Sequence, residues 1–184
     1  MTHAATGDTG RIVVRPAVID DAVQITEAHV KGWQVAYRGI MPDSYLDDLS
    51  NDMADRRARW RVQIAVPADP RVRSLVAERD GTVVGWASSA PSRDADATSL
   101  TGEIWGIYVH PDHWRTGAGG ALMQAALDHL AAEGYTEATL WVFEENGQAR
   151  GFYERWGWRL DGATHFFERG GARVPEVRYR RPLP

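Results

Sequence analysis

The chain has 184 residues, enough to bury one substantial core but short for two full domains. Hydrophobic residues make up 43% and charged residues 25%; the net charge of -4, with no long basic run, argues against a nucleic-acid partner. There is no cysteine, which excludes disulfides, thiolate zinc sites and a cysteine nucleophile, and no apolar stretch reaches spanning length or forms a leader, so a cytoplasmic location without a membrane partner is expected.

Residues 1–10 are small and polar and are expected to be loose, leaving 11–184 as the single domain. A first strand is read over 12–15. Asp20-Asp21 open a helical pattern carrying Val23, Ile25, Ala28, Val30 and Trp33 that ends near Gly39. Met41-Pro42-Asp43 starts a second short helix, and a third covers 56–64. The period then changes to that of strands. Residues 74–78 and 83–89 are joined across Arg79-Asp80-Gly81-Thr82, a hairpin signal. After a polar loop come a strand over 103–109, a helix to about Glu133, a strand over 138–143 and a short helix over 146–156. Segments 158–160, 164–168 and 174–178 are the remaining strand candidates. This order predicts an α/β domain with one mixed sheet and helices on both faces.

One stretch carries more than packing. Residues 105–123 read W-G-I-Y-V-H-P-D-H-W-R-T-G-A-G-G-A-L-M: a strand, a turn, then glycines at the start of a helix. Amides converge without partners at such a place and can hold phosphate. A mobile surface turn has the same glycine spacing. His110 and His113 flank Pro111-Asp112, but no third ligand cluster accompanies them, and no metal site is expected.

A second segment, E-E-N-G-Q-A-R-G-F-Y-E-R-W-G-W over 144–158, follows the next strand. Together the two resemble the GCN5-related N-acetyltransferases, which move an acyl group from coenzyme A to an amine. The likeness is strongest over 103–158 and implies the mixed, mostly antiparallel sheet of that family's fold. It implies acetyl-CoA or coenzyme A as cofactor, with its pyrophosphate on the amides of Arg115, Thr116, Gly117, Ala118, Gly119 and Gly120. Gly117 and Gly119 fill the two glycine positions of the family pattern. Trp114 stands where that pattern has arginine or glutamine. The backbone of Ile107, Tyr108 and Val109 is implied to meet the pantetheine arm, beside a splay between this strand and the one at 138–143. Asn146 and Arg150 are implied to help hold the cofactor, each with a second role open, as helix N-cap and as solvated helix-face arginine.

Amine attack on a thioester needs one group to take a proton and another to give one. By its place in the likeness Tyr153 is the expected acid, a buried aromatic being the other reading. Glu103, at the start of the strand before the loop, is the expected base, a strand-end carboxylate being the other. Trp33 and Tyr37, four apart on a helix, either pack the early helices together or wall the acceptor site. Trp86, Trp105 and Trp141 are further lining candidates. The expected function is acetyl transfer to a primary amine, of a small molecule or a peptide, in a ternary complex. A homodimer is in keeping with the family. The alternatives are an acyl-CoA-binding regulatory module and a different phosphate-ligand enzyme.

Overall fold

The structure is a computed structural model and describes residues 10–184; the expectation for the first ten residues falls outside these but for Gly10. Seven strands form one sheet in the order β1-β2-β3-β4-β5-β7-β6. They are β1 (Ile12–Pro16), β2 (Arg73–Arg79), β3 (Thr82–Pro91), β4 (Thr101–Val109), β5 (Glu137–Phe143), β6 (Arg159–Arg169) and β7 (Ala172–Pro182). All neighbours run antiparallel except β4 and β5.

Among the described residues, five α-helices cover the two faces: α1 (Ala22–Ala36), α2 (Asp43–Asp48), α3 (Met53–Ala65), α4 (Ala118–Ala132) and α5 (Gly147–Arg155). On one face Leu122, Met123, Ala126, Leu127 and Leu130 of α4 recur at helical spacing. They pack with Leu140, Val142, Val177 and Tyr179 of the sheet and with Tyr153 of α5. On the other face Ile25 and Ala28 of α1 meet Val76, Val83 and Trp86. Farther along, Val30 of α1, Tyr37 just past its end and Leu46 of α2 meet Phe143 and Val174.

Two hairpins fix much of the register. β2 and β3 turn through Asp80-Gly81, and β6 and β7 through Gly170-Gly171. In both turns the two central residues have positive φ, the geometry that matches strand twist in a two-residue loop.

The last strands differ from expectation. Segments 158–160 and 164–168 belong to one strand, β6, whose pairing with β7 shifts register between Leu160 and Thr164. Gly162 has φ +91 there, and Asp161 Oδ1 accepts from the Ala163 amide at 3.0 Å. The strand bends at this point without ending. Trp158 precedes it and is buried, 1% exposed.

Candidate active site

β4 and β5 pair only over Thr101–Glu103 and Glu137–Thr139. Beyond those three residues β4 stays with β3 and β5 stays with β7, so the sheet opens between them. A bulge sharpens the divergence: Ser88 opposes Gly106 and Ser89 opposes Ile104, which leaves Trp105 as the extra residue on β4. The opening is a cleft of about 1030 Å³ that runs from the start of α4 to the end of α1. Ile107, Tyr108 and Val109 line it along β4.

One end is a set of amides. After a short 3-10 turn at Pro111–His113, Arg115 and Gly117 both take left-handed backbone, φ 63 and φ 93. The amides from Arg115 to Gly120 have no hydrogen-bond partner among the described residues, and the α4 ladder begins with Ala121 donating to the Gly117 carbonyl. The two left-handed residues curve the loop so that its free amides face one way, and the helix N-terminus adds its partial positive charge. These donors fit an anionic group such as a pyrophosphate. Arg115, Gly117, Gly119 and Gly120 line the cleft, whereas the Ala118 side chain turns into the core, 1% exposed. Thr116 binds its own loop, its hydroxyl donating to the His113 carbonyl at 2.7 Å.

Trp114 has a structural use. Its indole N–H donates to the Val109 carbonyl at 2.8 Å and staples the loop to the end of β4. His110 and His113 belong to the turn: Nδ1 of His110 accepts from the Asp112 amide at 3.3 Å. No group of three metal-binding side chains occurs among the described residues.

Gly117→Ala places a Cβ on left-handed backbone, where it costs about 1–2 kcal/mol although the space beside it is open. The expected result is weaker binding of acetyl-CoA with a fall in Tm of only a few degrees, seen by calorimetry and thermal unfolding.

α5 closes the same end. Asn146 caps it by accepting from the Ala149 amide at 3.1 Å and also lines the cleft. Arg150 is drawn away from the cofactor role expected of it. Its guanidinium donates to the Tyr179 hydroxyl at 3.1 Å and to the Glu144 carbonyl at 2.9 Å, while Gln148 and Arg155 line the cleft nearby.

Tyr153 projects from α5 toward the gap between the strands. Its side chain is buried, 8% exposed, yet its hydroxyl has no partner among the described residues and the residue lines the cleft. Burial, and next the neighbouring Tyr108 hydroxyl, push its pKa above the ordinary phenol value, so it holds its proton at neutral pH.

The other end is aromatic. Trp33 and Tyr37 meet edge to face at 4.8 Å, and Tyr37 and Phe143 meet likewise at 4.6 Å. Both readings of Trp33 and Tyr37 hold at once: they pack α1 onto the sheet and they line the cleft. The Tyr37 and Tyr108 hydroxyls are 3.1 Å apart. Trp105 lines the cleft beneath the Arg93 guanidinium, 4.3 Å from its ring centroid, and Trp141 lines it with its indole N–H on Asp94 at 2.9 Å. Trp86 does not line it. Strand alternation turns it under α1, 5% exposed and against Trp60 at 4.6 Å, so its expected place at the acceptor is corrected to the core.

Glu103 lines the cleft and is 3% exposed, but it is tied down. One oxygen accepts from the Arg93 amide at 2.9 Å and the other from its guanidinium at 2.9 Å. Among the lining residues outside the expected set are His165 of β6 and Glu176 of β7, bonded to each other at 2.6 Å. The hairpin turn between them was the signal, since counting outward from Gly170-Gly171 sets 165 opposite 176.

Comparison with known proteins agrees with this architecture. Residues 33–158 match the model of the acetyltransferase (GNAT) family. The chain is 29% identical over 168 residues to the uncharacterized N-acetyltransferase YuaI of Bacillus subtilis, covering 90% of each. It is 29% identical over 181 residues to the probable N-acetyltransferase Rv2775 of Mycobacterium tuberculosis, covering 92% of each. Among solved structures, PaiA N-acetyltransferase from Thermoplasma acidophilum in complex with coenzyme A superposes with a TM-score of 0.69 at 20% identity, over 90% of this chain and 98% of that one. The putative acetyltransferase YncA from Salmonella typhimurium, with its cofactor acetyl-CoA, gives 0.69 at 21% identity over 95% of each chain. These two likenesses speak for the fold alone. The family match, spanning the splayed strands, the amide cradle and Tyr153, carries the assignment: the chain belongs to the GNAT family of acetyltransferases.

Proposed function

We propose that this acetyltransferase moves the acetyl group of acetyl-CoA to a primary amine by direct attack, with both substrates bound in the one cleft. The observation that carries the reading is the three-residue limit on β4–β5 pairing, which opens a path from the amide cradle to Tyr153. Acetyl-CoA supplies an acyl thioester and an anionic pyrophosphate. The amides at Arg115 to Gly120 fit that anion, with Asn146 beside them. Ile107, Tyr108 and Val109 offer strand backbone left free by the splay. Tyr153 holds a proton for the departing sulfur, and the aromatic residues Trp33, Tyr37, Trp105 and Trp141 exclude water around the acceptor. With no cysteine on the chain, no acyl-cysteine intermediate forms.

Calorimetric titration with acetyl-CoA, coenzyme A and ATP tests the cleft; selective binding of the two CoA species is expected. Equal or preferred binding of ATP overturns the reading. Thiol release in the presence of an amine panel then tests transfer, and since the chain carries no thiol of its own, every thiol detected is coenzyme A.

A further inference from the structure

His165 and Glu176 are directly opposed in the β6–β7 hairpin, so their side chains leave the same face of the sheet. Nε2 of His165 lies 2.6 Å from Oε2 of Glu176. Their settings differ. The Glu176 side chain is 16% exposed within the cleft, and the His165 side chain is 45% exposed at its rim. The second carboxylate oxygen of Glu176 has no partner among the described residues, and neither arginine nor lysine pairs with the group there.

The surroundings suit a cation. Tyr37 at the end of α1 and Tyr108 from β4 stand close enough that the Glu176 charge adds to the burial that raises both pKa values; the Tyr108 hydroxyl raises that of Tyr37 further, whereas the hydrogen bond from Tyr37 partly offsets the rise at Tyr108. On the β5 side the His165 ring lies on Trp141 at 3.8 Å. Two residues along β7, Arg178 is taken up by Asp94, Asp96 and Asp161. Glu176 is thus a carboxylate among aromatic rings, hydrogen-bonded to the His165 imidazole and with no arginine or lysine paired to it. An ammonium on an apolar body satisfies both the charge and the rings. Glu103 lacks that vacancy, because Arg93 already neutralises it.

We propose that Glu176 docks the acceptor as a primary ammonium and that the Glu176–His165 pair conducts its proton out of the cleft; this rests on the acetyl-transfer reading. The ammonium gives one proton to the carboxylate, and the hydrogen bond hands a proton to Nε2 of His165, which releases it to water at the rim. The freed electron pair on nitrogen forms the C–N bond as the thioester C–S bond breaks. Tyr153 protonates the sulfur, and the second proton lost by nitrogen restores Tyr153. Burial raises the Glu176 pKa and the His165 hydrogen bond partly offsets this, so docking is lost as pH falls through that raised value.

The test uses the full chain saturated with coenzyme A, with phenethylamine and the neutral phenethyl alcohol as calorimetric probes. The amine should bind about tenfold or more tightly than the alcohol. Glu176→Gln should abolish that preference with alcohol and coenzyme A affinities unchanged. For an amine that is turned over, His165→Gln should lower kcat about tenfold with KM little changed, and Glu176→Gln should flatten the acid limb of the pH–kcat/KM profile. Glu103→Gln should keep that limb. No preference for the amine, a preference that survives Glu176→Gln, or an acid limb lost in Glu103→Gln and kept in Glu176→Gln overturns the proposal. Loss of coenzyme A binding itself would instead bring down the acetyltransferase reading, whereas transfer that ignores both variants removes only the pair.

Discussion

Tyr153→Phe is expected to lower kcat about a hundredfold or more, with acetyl-CoA affinity unchanged within about twofold. The substitution removes one oxygen from a side chain whose ring remains packed at 6.5 Å from Trp158 and 6.3 Å from Tyr179. The hydroxyl bonds to nothing among the described residues, so its loss leaves no buried group without a partner and should barely move Tm. A pure loss of turnover therefore reports chemistry. Burial and Tyr108 hold the phenol protonated, which suits a group that must still own its proton when a thiolate departs. Steady-state kinetics beside calorimetry decide the matter: equal turnover in the variant removes Tyr153 as the acid.

Arg178→Leu is expected to cost about 3 kcal/mol of stability. The Arg178 side chain is 7% exposed and pairs with Asp94 at 3.1 Å, Asp96 at 2.6 Å and Asp161 at 2.8 Å. Asp94 is itself 11% exposed in its side chain, so the leucine leaves a carboxylate in poor contact with water. Burial opposes ionisation of Asp94, but hydrogen bonds from Trp141, Thr139 and Arg178 outweigh it and its pKa falls below 3.8. A lowered carboxylate stabilises the fold above the ordinary value and loses that contribution as pH falls through the folded one. Chemical unfolding of wild type and variant should therefore differ most near neutrality, with the gap narrowing below about pH 4. A gap that stays constant across that range would mean that packing, not charge, supplies the effect. Because Asp94 also holds the Trp141 indole, on which His165 lies, turnover should fall as well.

Much of the fold was legible in the sequence. The hairpin at Asp80-Gly81, the alternation of strands with periodic helices and the glycine loop after β4 are local signals, set by residues close together in the chain. The glycine loop marked where a cradle could form, but its spacing suits a mobile turn as well, and the assignment to the amides of Arg115 to Gly120 came by likeness. Three features were not legible. The place of Trp86 depends on which face of β3 lies under α1. Arg150 is held by Tyr179, 29 residues away in sequence. Glu103 is engaged by a loop residue that β4 alone does not reveal. The splay of β4 from β5 was implied only by likeness, because no periodicity records where two strands part. The His165–Glu176 pair lies between these cases. The Gly170-Gly171 turn sets 165 opposite 176, and both lie inside the expected strand pieces 164–168 and 174–178, but that this face of the hairpin meets the cleft depends on the splay of β4 from β5.

The bend in β6 bears on behaviour in concentrated solution. As the last strand on its side, β6 offers a row of backbone donors and acceptors to any extended segment that drifts alongside. The break in register at Asp161 to Ala163 interrupts that row near its middle, and Arg159, Asp161, Glu168 and Arg169 put charges of both signs along it. Phe166, the large apolar side chain exposed on this strand beside Leu160, is covered by the Arg173 guanidinium 3.3 Å from its ring centroid. Straightening the strand by deleting Gly162 and neutralising its charges would turn a guarded border into a template for end-to-end growth, visible as light scattering long before activity declines.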